Sequence, residues 1–350
     1  MKKQEIVSLL KLEGDKINEL YKYAYDVRLK HVGKKVYLRG IIEFSNICVK
    51  NCYYCGIRRD NASLERFTMT PDDIVETAVW AHENGYASMV LQSGERKDEE
   101  FVATMERVLS AIADKTQGKM AVTISLGEQS RKTYKRWLDA GARRYLLRIE
   151  TSNPDLYESL HPADHSFAER LQCLHVLRDL GYQLGTGVMI GLPGQTVEHL
   201  ADDVLFFEKM DIDMIGMGPY IAHPATPLAD KPAPLSPEAS LDLALKMIAV
   251  TRIELVDVNI AATTALQTLN PIGREMGLMA GANVVMPNIT DTKYRSLYKL
   301  YEGKPCLDEN AEMCRHCLEK RILSIGEEIA YGDPGDPLHF ARRMLRRRNL

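Results

Sequence analysis

Val36-Tyr37-Leu38-Arg39-Gly40-Ile41-Ile42-Glu43-Phe44 is an apolar, β-branched run, and three residues later the chain enters Cys48-Val49-Lys50-Asn51-Cys52-Tyr53-Tyr54-Cys55. A strand that ends in a ligand-rich loop is the first of eight such units. Short apolar segments follow at 88–93, 120–126, 144–150, 184–190, 214–220, 259–265 and 282–286. Between them apolar residues recur at three and four over 71–84, 99–113, 130–140, 167–180, 196–210, 237–255 and 273–280. Strand and helix alternating in this way predict an α/β chain folded as a (β/α)8 TIM-type barrel. A doubly wound open sheet is the alternative, since one misread strand would break the closure.

The punctuation agrees with this reading. Thr70-Pro71-Asp72-Asp73 has the form of an N-cap followed by proline and acids, and Gly85, Gly141 and Gly181 stand where helices should stop. Upstream, Ile6, Leu9 and Leu10, then Ile17, Leu20, Tyr21, Ala24 and Val27, mark two helices separated by Gly14. The expected organisation is an N-terminal helical segment (1–34), a barrel (35–287) and a C-terminal extension (288–350) with no core of its own. The proline-rich stretch 224–237 reads as a long loop after the sixth strand.

Composition narrows the function classes. With 45% hydrophobic and 27% charged residues the 350-residue chain can bury a full core, and it carries no low-complexity segment. A net charge of −3 gives no general attraction to nucleic acid or an anionic membrane. No apolar run approaches the roughly 20 residues that span a bilayer, and the N-terminus has no signal-peptide core. The expectation is a cytoplasmic protein that binds neither nucleic acid nor membrane. The basic cluster at 342–348 lacks an aromatic platform and reads as a solvated tail.

The seven cysteines fall as Cys48, Cys52 and Cys55, then Cys173, then Cys306, Cys314 and Cys317. In a reducing compartment a disulfide framework is the weaker explanation. Three closely spaced thiolates can hold a four-iron cluster while leaving one iron open to an outside ligand. Zinc is the competitor, but a structural zinc needs a fourth protein ligand, and the next His or Cys is the distant His82. The second trio repeats the arithmetic and points to another cluster, of two or four irons, with zinc or a vacant site as alternatives. Cys173 reads as a packing residue, and His161, His165, His175 and His223 lack metal-like spacing.

Active sites of such barrels lie at the C-terminal ends of the strands. Cys48 to Cys55 follow the first strand there, Gln92-Ser93-Gly94-Glu95 end the second, and 187–194 end the fifth. Along the fourth strand, alternation puts Arg144, Leu146, Arg148 and Glu150 on one face and Tyr145, Leu147 and Ile149 on the other. Charge inside a barrel implies a polar ligand; a self-satisfied Arg–Glu network is the alternative. Thr263, Thr264 and Asn288 could add donors to the same cavity.

The stretches CVKNCYYCGIRRDN (48–61), LQSGE (91–95), RYLLRIETSN (144–153), GVMIGLPGQT (187–196), GPYIAHPATP (218–227), AATTA (261–265) and GANVVMPN (281–288) span most of the chain. Together they resemble the HydE maturases of [FeFe]-hydrogenase, within the radical S-adenosylmethionine (SAM) superfamily. The resemblance implies a [4Fe-4S] cluster on Cys48, Cys52 and Cys55, with SAM on its open iron. It places Tyr54 against the adenine, Gln92, Ser93, Gly94 and Glu95 near the methionine, Glu150 at the ribose, Arg170 at the SAM carboxylate and Met189 at the adenosyl region. Arg144, Arg148, Thr263, Thr264 and Tyr301 would line the substrate end. Cys306, Cys314 and Cys317 match a second [2Fe-2S] or [4Fe-4S] cluster found in part of the family.

The implied activity is reductive cleavage of SAM to a 5'-deoxyadenosyl radical in an anaerobic pathway. The implied substrate is an organometallic iron carbonyl-cyanide unit on cysteine, and the pathway builds the diiron centre. Implied partners are a low-potential electron donor, a GTPase scaffold and a tyrosine-lyase maturase. Three rivals are weighed against this. A biotin synthase would carry further cysteines on its strands, which this chain lacks after the first motif. A methylornithine synthase-like mutase needs no C-terminal trio, and an iron-sulfur scaffold or electron carrier would not cleave SAM.

Overall fold

The computed structural model describes residues 1–231 and 234–348. Among the described residues twelve strands run in chain order. The first four are β1 (Lys35–Leu38), β2 (Gly40–Ser45), β3 (Ser88–Ser93) and β4 (Ala121–Ser125). The next four are β5 (Ala142–Leu146), β6 (Gln183–Thr186), β7 (Met189–Ile190) and β8 (Met214–Ile215). The last four are β9 (Gly218–Pro219), β10 (Asn259–Ile260), β11 (Val284–Val285) and β12 (Glu328–Ile329).

Seven of them form one parallel sheet in the order β10-β8-β6-β5-β4-β3-β2. Its central register threads apolar side chains between the layers: Ile42 stands beside Leu91, Leu91 beside Ile124, Ile124 beside Tyr145, and Tyr145 beside Leu184. Parallel strands covered by helices need such runs, because both faces lose water. The ends of the sheet curl round to meet. β1, continuous with β2, pairs with β11, and the bridges Ala261–Val284 and Ile41–Asn288 tie β11 to both neighbours. The result is the TIM-like barrel expected from the alternation, not an open sheet.

Local chemistry sets the helix limits. The Thr70 hydroxyl accepts from the Asp73 amide at 3.1 Å, and Asp98, Ser130, Asn153, Ser166, Thr196 and Ser236 cap later helices in the same way. Gly181, with φ of 92°, ends the helix Phe167–Leu180 in the left-handed region that a side chain resists. The helix Glu99–Lys115 shows why they dock: it buries Phe101, Val102, Met105, Val108, Leu109 and Ile112, one stripe at three and four. Each such side chain contributes about 1.5–3 kcal/mol through burial. No helix among the described residues is long and apolar enough to cross a membrane.

Two of the expected strands are broken in the middle. The segments at 184–190 and 214–220 split into β6 and β7 and into β8 and β9. The cause is a close backbone approach: a Cβ on Gly187 would lie 1.8 Å from the Gly216 carbonyl oxygen. Above that contact β7 and β9 leave the main sheet and pair with each other beside the cavity.

The extension adds helices Thr292–Arg295, Ala311–Ser324 and Leu338–Arg348. Ile289, Tyr298, Cys314, Leu318 and Ile322 join the barrel's own apolar core. β12 pairs in parallel with β1, and next to it Glu327 forms a fully buried ion pair with Arg28 from the helix Asp15–His31.

Candidate active site

The loop after β2 presents Cys48, Cys52 and Cys55 to a chamber of about 340 Å³ at the C-terminal ends of the strands. That lies within the roughly 300–1,000 Å³ of a usual small-molecule pocket. The loop is pinned from several sides. The Asn51 amide donates to Nε2 of His165 at 2.9 Å, the Tyr53 amide to the Leu160 carbonyl at 2.9 Å, and Arg66 donates to the carbonyls of Asn46 and Ile57. His161 supports the same region, with its ring stacked on Tyr157 and Nε2 3.3 Å from the Tyr54 hydroxyl. Both histidines therefore support the loop through Nε2.

The donor set suits a cluster. Burial pushes the Cys52 thiol up to about 12 and raises Cys48 and Cys55 as well, so these sulfurs favour the proton unless a cation replaces it. The Glu95 amide already donates to Sγ of Cys48 at 3.3 Å. Gly94 makes that contact feasible, because a Cβ there would stand 2.3 Å from the Ile47 carbonyl oxygen and 2.7 Å from Cβ of Cys48. Among the described residues neither trio is drawn to a common metal-binding point, so the fit rests on the shared wall and the Glu95 amide.

Tyr54, Gln92, Ser93, Gly94, Glu95, Glu150, Arg170 and Met189 line the same chamber as the three thiols. Arg148, Thr263, Thr264 and Tyr301 line it too. Regular pairing of the fourth barrel strand stops at Leu146, and Glu150 takes a left-handed φ of 67° as it bridges to Val188. Arg148 and Glu150 face each other there, Nε donating to both carboxylate oxygens at 3.0 and 3.1 Å.

A chain of charges braces the cluster side. Arg170 donates to Glu128 at 2.6 Å and to the Arg148 carbonyl at 2.6 Å, while Lys50 donates to the other Glu128 oxygen at 2.6 Å. Burial opposes charge on Glu128, but Arg170 and Lys50 outweigh it and hold the carboxyl down at about 2. Glu95, buried and close to Glu128, is pushed up instead. Elsewhere in the chamber lining Lys304 clamps Glu43 at 2.5 and 2.6 Å, Asn288 donates to Glu43 at 3.0 Å, and the Tyr298 hydroxyl accepts from Gln92 at 3.2 Å.

Sequence reasoning missed Glu128, Lys50, Glu43, Tyr298 and Lys304. Glu128 could have been found, since it follows the third barrel strand at its C-terminal end. Lys304 carried no signal, because it reaches the chamber from the extension.

Arg144 does not belong with Arg148. Alternation correctly puts both inside the barrel, but four residues of strand separate them by roughly 13 Å, and Arg144 sits at the opposite mouth. It is fully buried, donating to Gln183 at 2.7 Å, to the Ser88 hydroxyl at 2.7 Å, to the Pro334 carbonyl at 2.7 Å and to Asp336 at 2.5 Å. The self-satisfied network is the right description of that side chain, and it fastens the extension to the barrel.

The second trio lies outside the chamber lining. Cys314 and Cys317 are one helical turn apart on Ala311–Ser324, Cys314 buried and Cys317 exposed. Cys306 has a left-handed φ of 62°. Its thiol is held down at about 7 by a hydrogen bond with Cys314, whose own thiol is pushed up by that same contact.

Residues 42–207 match the Radical SAM superfamily. The chain is 50% identical over 310 residues, 88% of its length and 86% of the relative's, to the [FeFe] hydrogenase maturase subunit HydE of Thermotoga maritima. A 3-methylornithine synthase of Methanosarcina acetivorans is 26% identical over 287 residues, covering 80% of this chain and 77% of that one. Among solved structures, methylornithine synthase superposes with a TM-score of 0.80 at 24% identity over 95% of this chain and 94% of that one. The maturase HydG of Carboxydothermus hydrogenoformans gives 0.78 at 20% identity over 95% and 76%. These two show the fold alone. Half the residues identical across most of both chains, together with three cysteines set on a chamber of this fold, decide the family: the chain belongs to the HydE maturases of [FeFe]-hydrogenase and is a radical SAM enzyme.

Proposed function

We propose that the chain binds a [4Fe-4S] cluster and SAM at the Cys48 end of the chamber. From there it acts on a cysteine-bound iron carbonyl-cyanide unit at the Arg148 end, on the way to the diiron centre. The observation that carries this reading is one chamber lined both by the three thiols and by Arg148, Thr263, Thr264 and Tyr301. When bound, the cluster and SAM supply a reductively generated 5'-deoxyadenosyl radical. The chain's own contribution is placement and dryness. Arg170 meets the SAM carboxylate, Glu150 the ribose, and Tyr54 and Met189 flank the adenosine. The barrel wall keeps water from a reactive carbon. Arg148 and the two threonines give the far end donors for an anionic ligand.

Anaerobically reconstituted protein given dithionite and SAM should release 5'-deoxyadenosine. None from fully loaded protein would sink the proposal. A methylornithine synthase-like reading predicts that lysine stimulates the same assay, and a scaffold or carrier predicts no cleavage at all. The lower identity to methylornithine synthase favours the maturase reading. The GTPase scaffold, the tyrosine-lyase maturase and a low-potential donor are the partners this role requires.

Arg148→Ala should keep the iron content and basal SAM cleavage while substrate-dependent turnover falls about 10- to 100-fold, the worth of one charged hydrogen bond. Iron lost from the first site in that variant would refute the assignment. For the second trio we propose an iron-sulfur centre. Cys314→Ser should delete a second signal from the iron and electron-paramagnetic spectra and leave 5'-deoxyadenosine formation within about twofold, since none of the three sulfurs lines the chamber. An unchanged spectrum would show that the trio holds no cluster.

A further inference from the structure

The helix Val197–Lys209 packs on the barrel through Leu200, Val204 and Phe207, and among these apolar side chains it buries a carboxylate, Asp203. One of its oxygens, Oδ1, accepts from the Ser152 amide at 2.6 Å, while Oδ2 has no hydrogen-bond partner among the described residues. The Ser152 hydroxyl lies beside it, also unpartnered. Two helices, Lys3–Leu10 and Pro237–Glu254, cover this one, but their charges are engaged elsewhere. Lys3 pairs with Asp202 at 2.6 Å, Lys11 with Glu198 at 3.0 Å, and Glu254 with the Met1 ammonium at 2.6 Å. Burial, with Asp202 next to it, therefore pushes the Asp203 carboxyl up to about 7. A neutral side chain could accept the same amide without burying an acid, so this acid is kept at a cost to stability. Such exceptions belong to functional sites.

The Ser152 amide closes the turn that carries Glu150. Glu150 holds a left-handed φ of 67°, which a residue with a Cβ keeps only where its surroundings over-determine it. Three ties do so: the Glu150 amide donates to the Gly187 carbonyl at 3.0 Å, the Met189 amide to the Glu150 carbonyl at 3.0 Å, and the Ser152 amide to Asp203. The first two fix the residue itself, and the third fixes the exit of the turn. Without that third tie the backbone leaving Glu150 can relax toward an ordinary φ, and the carboxylate swings off its aim.

We infer that Asp203 is a positioning residue, which holds the Glu150 turn so that the Glu150 carboxylate meets the ribose hydroxyls of SAM. This rests on the ribose role proposed above for Glu150. Asp203 does not line the chamber, so it acts through the turn.

The probes are SAM and its 2',3'-dideoxyribose analogue, bound to cluster-loaded, unreduced protein so that nothing is cleaved. Wild type should bind SAM about 100-fold more tightly than the analogue, because the analogue leaves a buried carboxylate without its hydroxyls. Asp203→Ala should cut that ratio to about tenfold or less at pH 8. Asp203→Asn, whose neutral oxygen accepts the Ser152 amide more weakly than a carboxylate does, should lie between. Stability should move the other way. Since the carboxyl is pushed up from an ordinary 3.8 to about 7, ionising it opposes folding, and the penalty is complete above pH 7. Cluster-loaded Asp203→Asn should therefore melt above cluster-loaded wild type at pH 8, by a margin that shrinks as pH falls toward 5. Over pH 8 to 6 the wild-type ratio should decline toward the Asn value while the Asn ratio stays level. A structural carboxyl would instead lower stability when replaced and leave the ratio alone. The inference is overturned by a wild-type ratio in Asp203→Ala or, should that chain not fold, in Asp203→Asn at pH 8. It is equally overturned if Asp203→Asn melts below wild type at pH 8. Equal binding of the two probes by wild type would overturn the ribose role of Glu150 as well, which tells the two failures apart.

Discussion

Cys52→Ser protein, reconstituted with iron and sulfide under the same conditions as wild type, is expected to lose the [4Fe-4S] absorption and essentially all SAM cleavage. Loss of a residue that merely orients a metal ligand lowers affinity or activity about 10- to 100-fold, so removal of the ligand should exceed the upper figure. The serine hydroxyl is a far weaker iron ligand, and the surrounding burial that already disfavours a charged sulfur disfavours an alkoxide more. The fold should not follow. The loop is held by the Asn51 amide on His165, by the Asn61 side chain on the Gly56 carbonyl at 2.6 Å and by Arg66, none of which involves the thiol. The measurement is therefore paired: iron per chain and 5'-deoxyadenosine on one side, the thermal melt of the unloaded chain on the other. A variant with full iron content, or an unloaded variant that melts well below unloaded wild type, would show that Cys52 is structural.

Arg170→Met should damage both stability and cofactor binding. The guanidinium is buried between Glu128 and the Arg148 carbonyl, so its loss leaves the carboxylate with Lys50 alone, and stripping one partner from a buried pair costs about 3–5 kcal/mol. On the proposed role of Arg170, SAM affinity should fall in parallel, because the methionine carboxylate would lose its cation. The two effects separate in the double variant. Arg170→Met with Glu128→Gln removes the stranded charge, so it should recover much of the melting temperature and none of the SAM affinity. Full recovery of both would dismiss Arg170 as a SAM ligand. The pH dependence has a definite sign. Glu128 is held at about 2 against an ordinary 4.5. Its contribution is thus complete above pH 4.5 and is lost as pH falls toward 2, so wild type and Arg170→Met should converge in stability across that window.

Much of this was legible in the chain. Eight apolar segments with capped, striped helices between them leave little freedom, because each strand needs a cover and each helix has one apolar face. The thiol spacing and the Gly94-Glu95 turn singled out residues that the fold does bring to one chamber. What stayed hidden were properties of depth. Period two tells which side of a sheet Arg144 and Arg148 share, but not that roughly 13 Å of strand sends one to the floor and the other to the chamber. The split of β6 from β7 was equally invisible, since it arises from the approach of Gly187 to the Gly216 carbonyl, a contact made only in space. Lys304, Tyr298 and Glu43 form one wall from residues far apart in sequence, and no local pattern announces such a wall.

The floor also has a history in the making of the protein. β1 emerges early from the ribosome, yet its neighbours β11 and β12 are synthesised only after the rest of the barrel, and Glu327 and Asp336, which neutralise Arg28 and Arg144, come with β12. Until then the nascent chain carries an unpaired strand edge and two cations bound for the interior without their counter-ions. That is a sticky intermediate, and one dominated by distant pairings folds slowly. A chain broken off before residue 328 should therefore be cleared by proteases while one ending just past Asp336 persists. Iron delivery to the cysteine loop would then compete with the sealing of the opposite mouth, which makes translation, as much as iron supply, a determinant of how much active maturase a cell obtains.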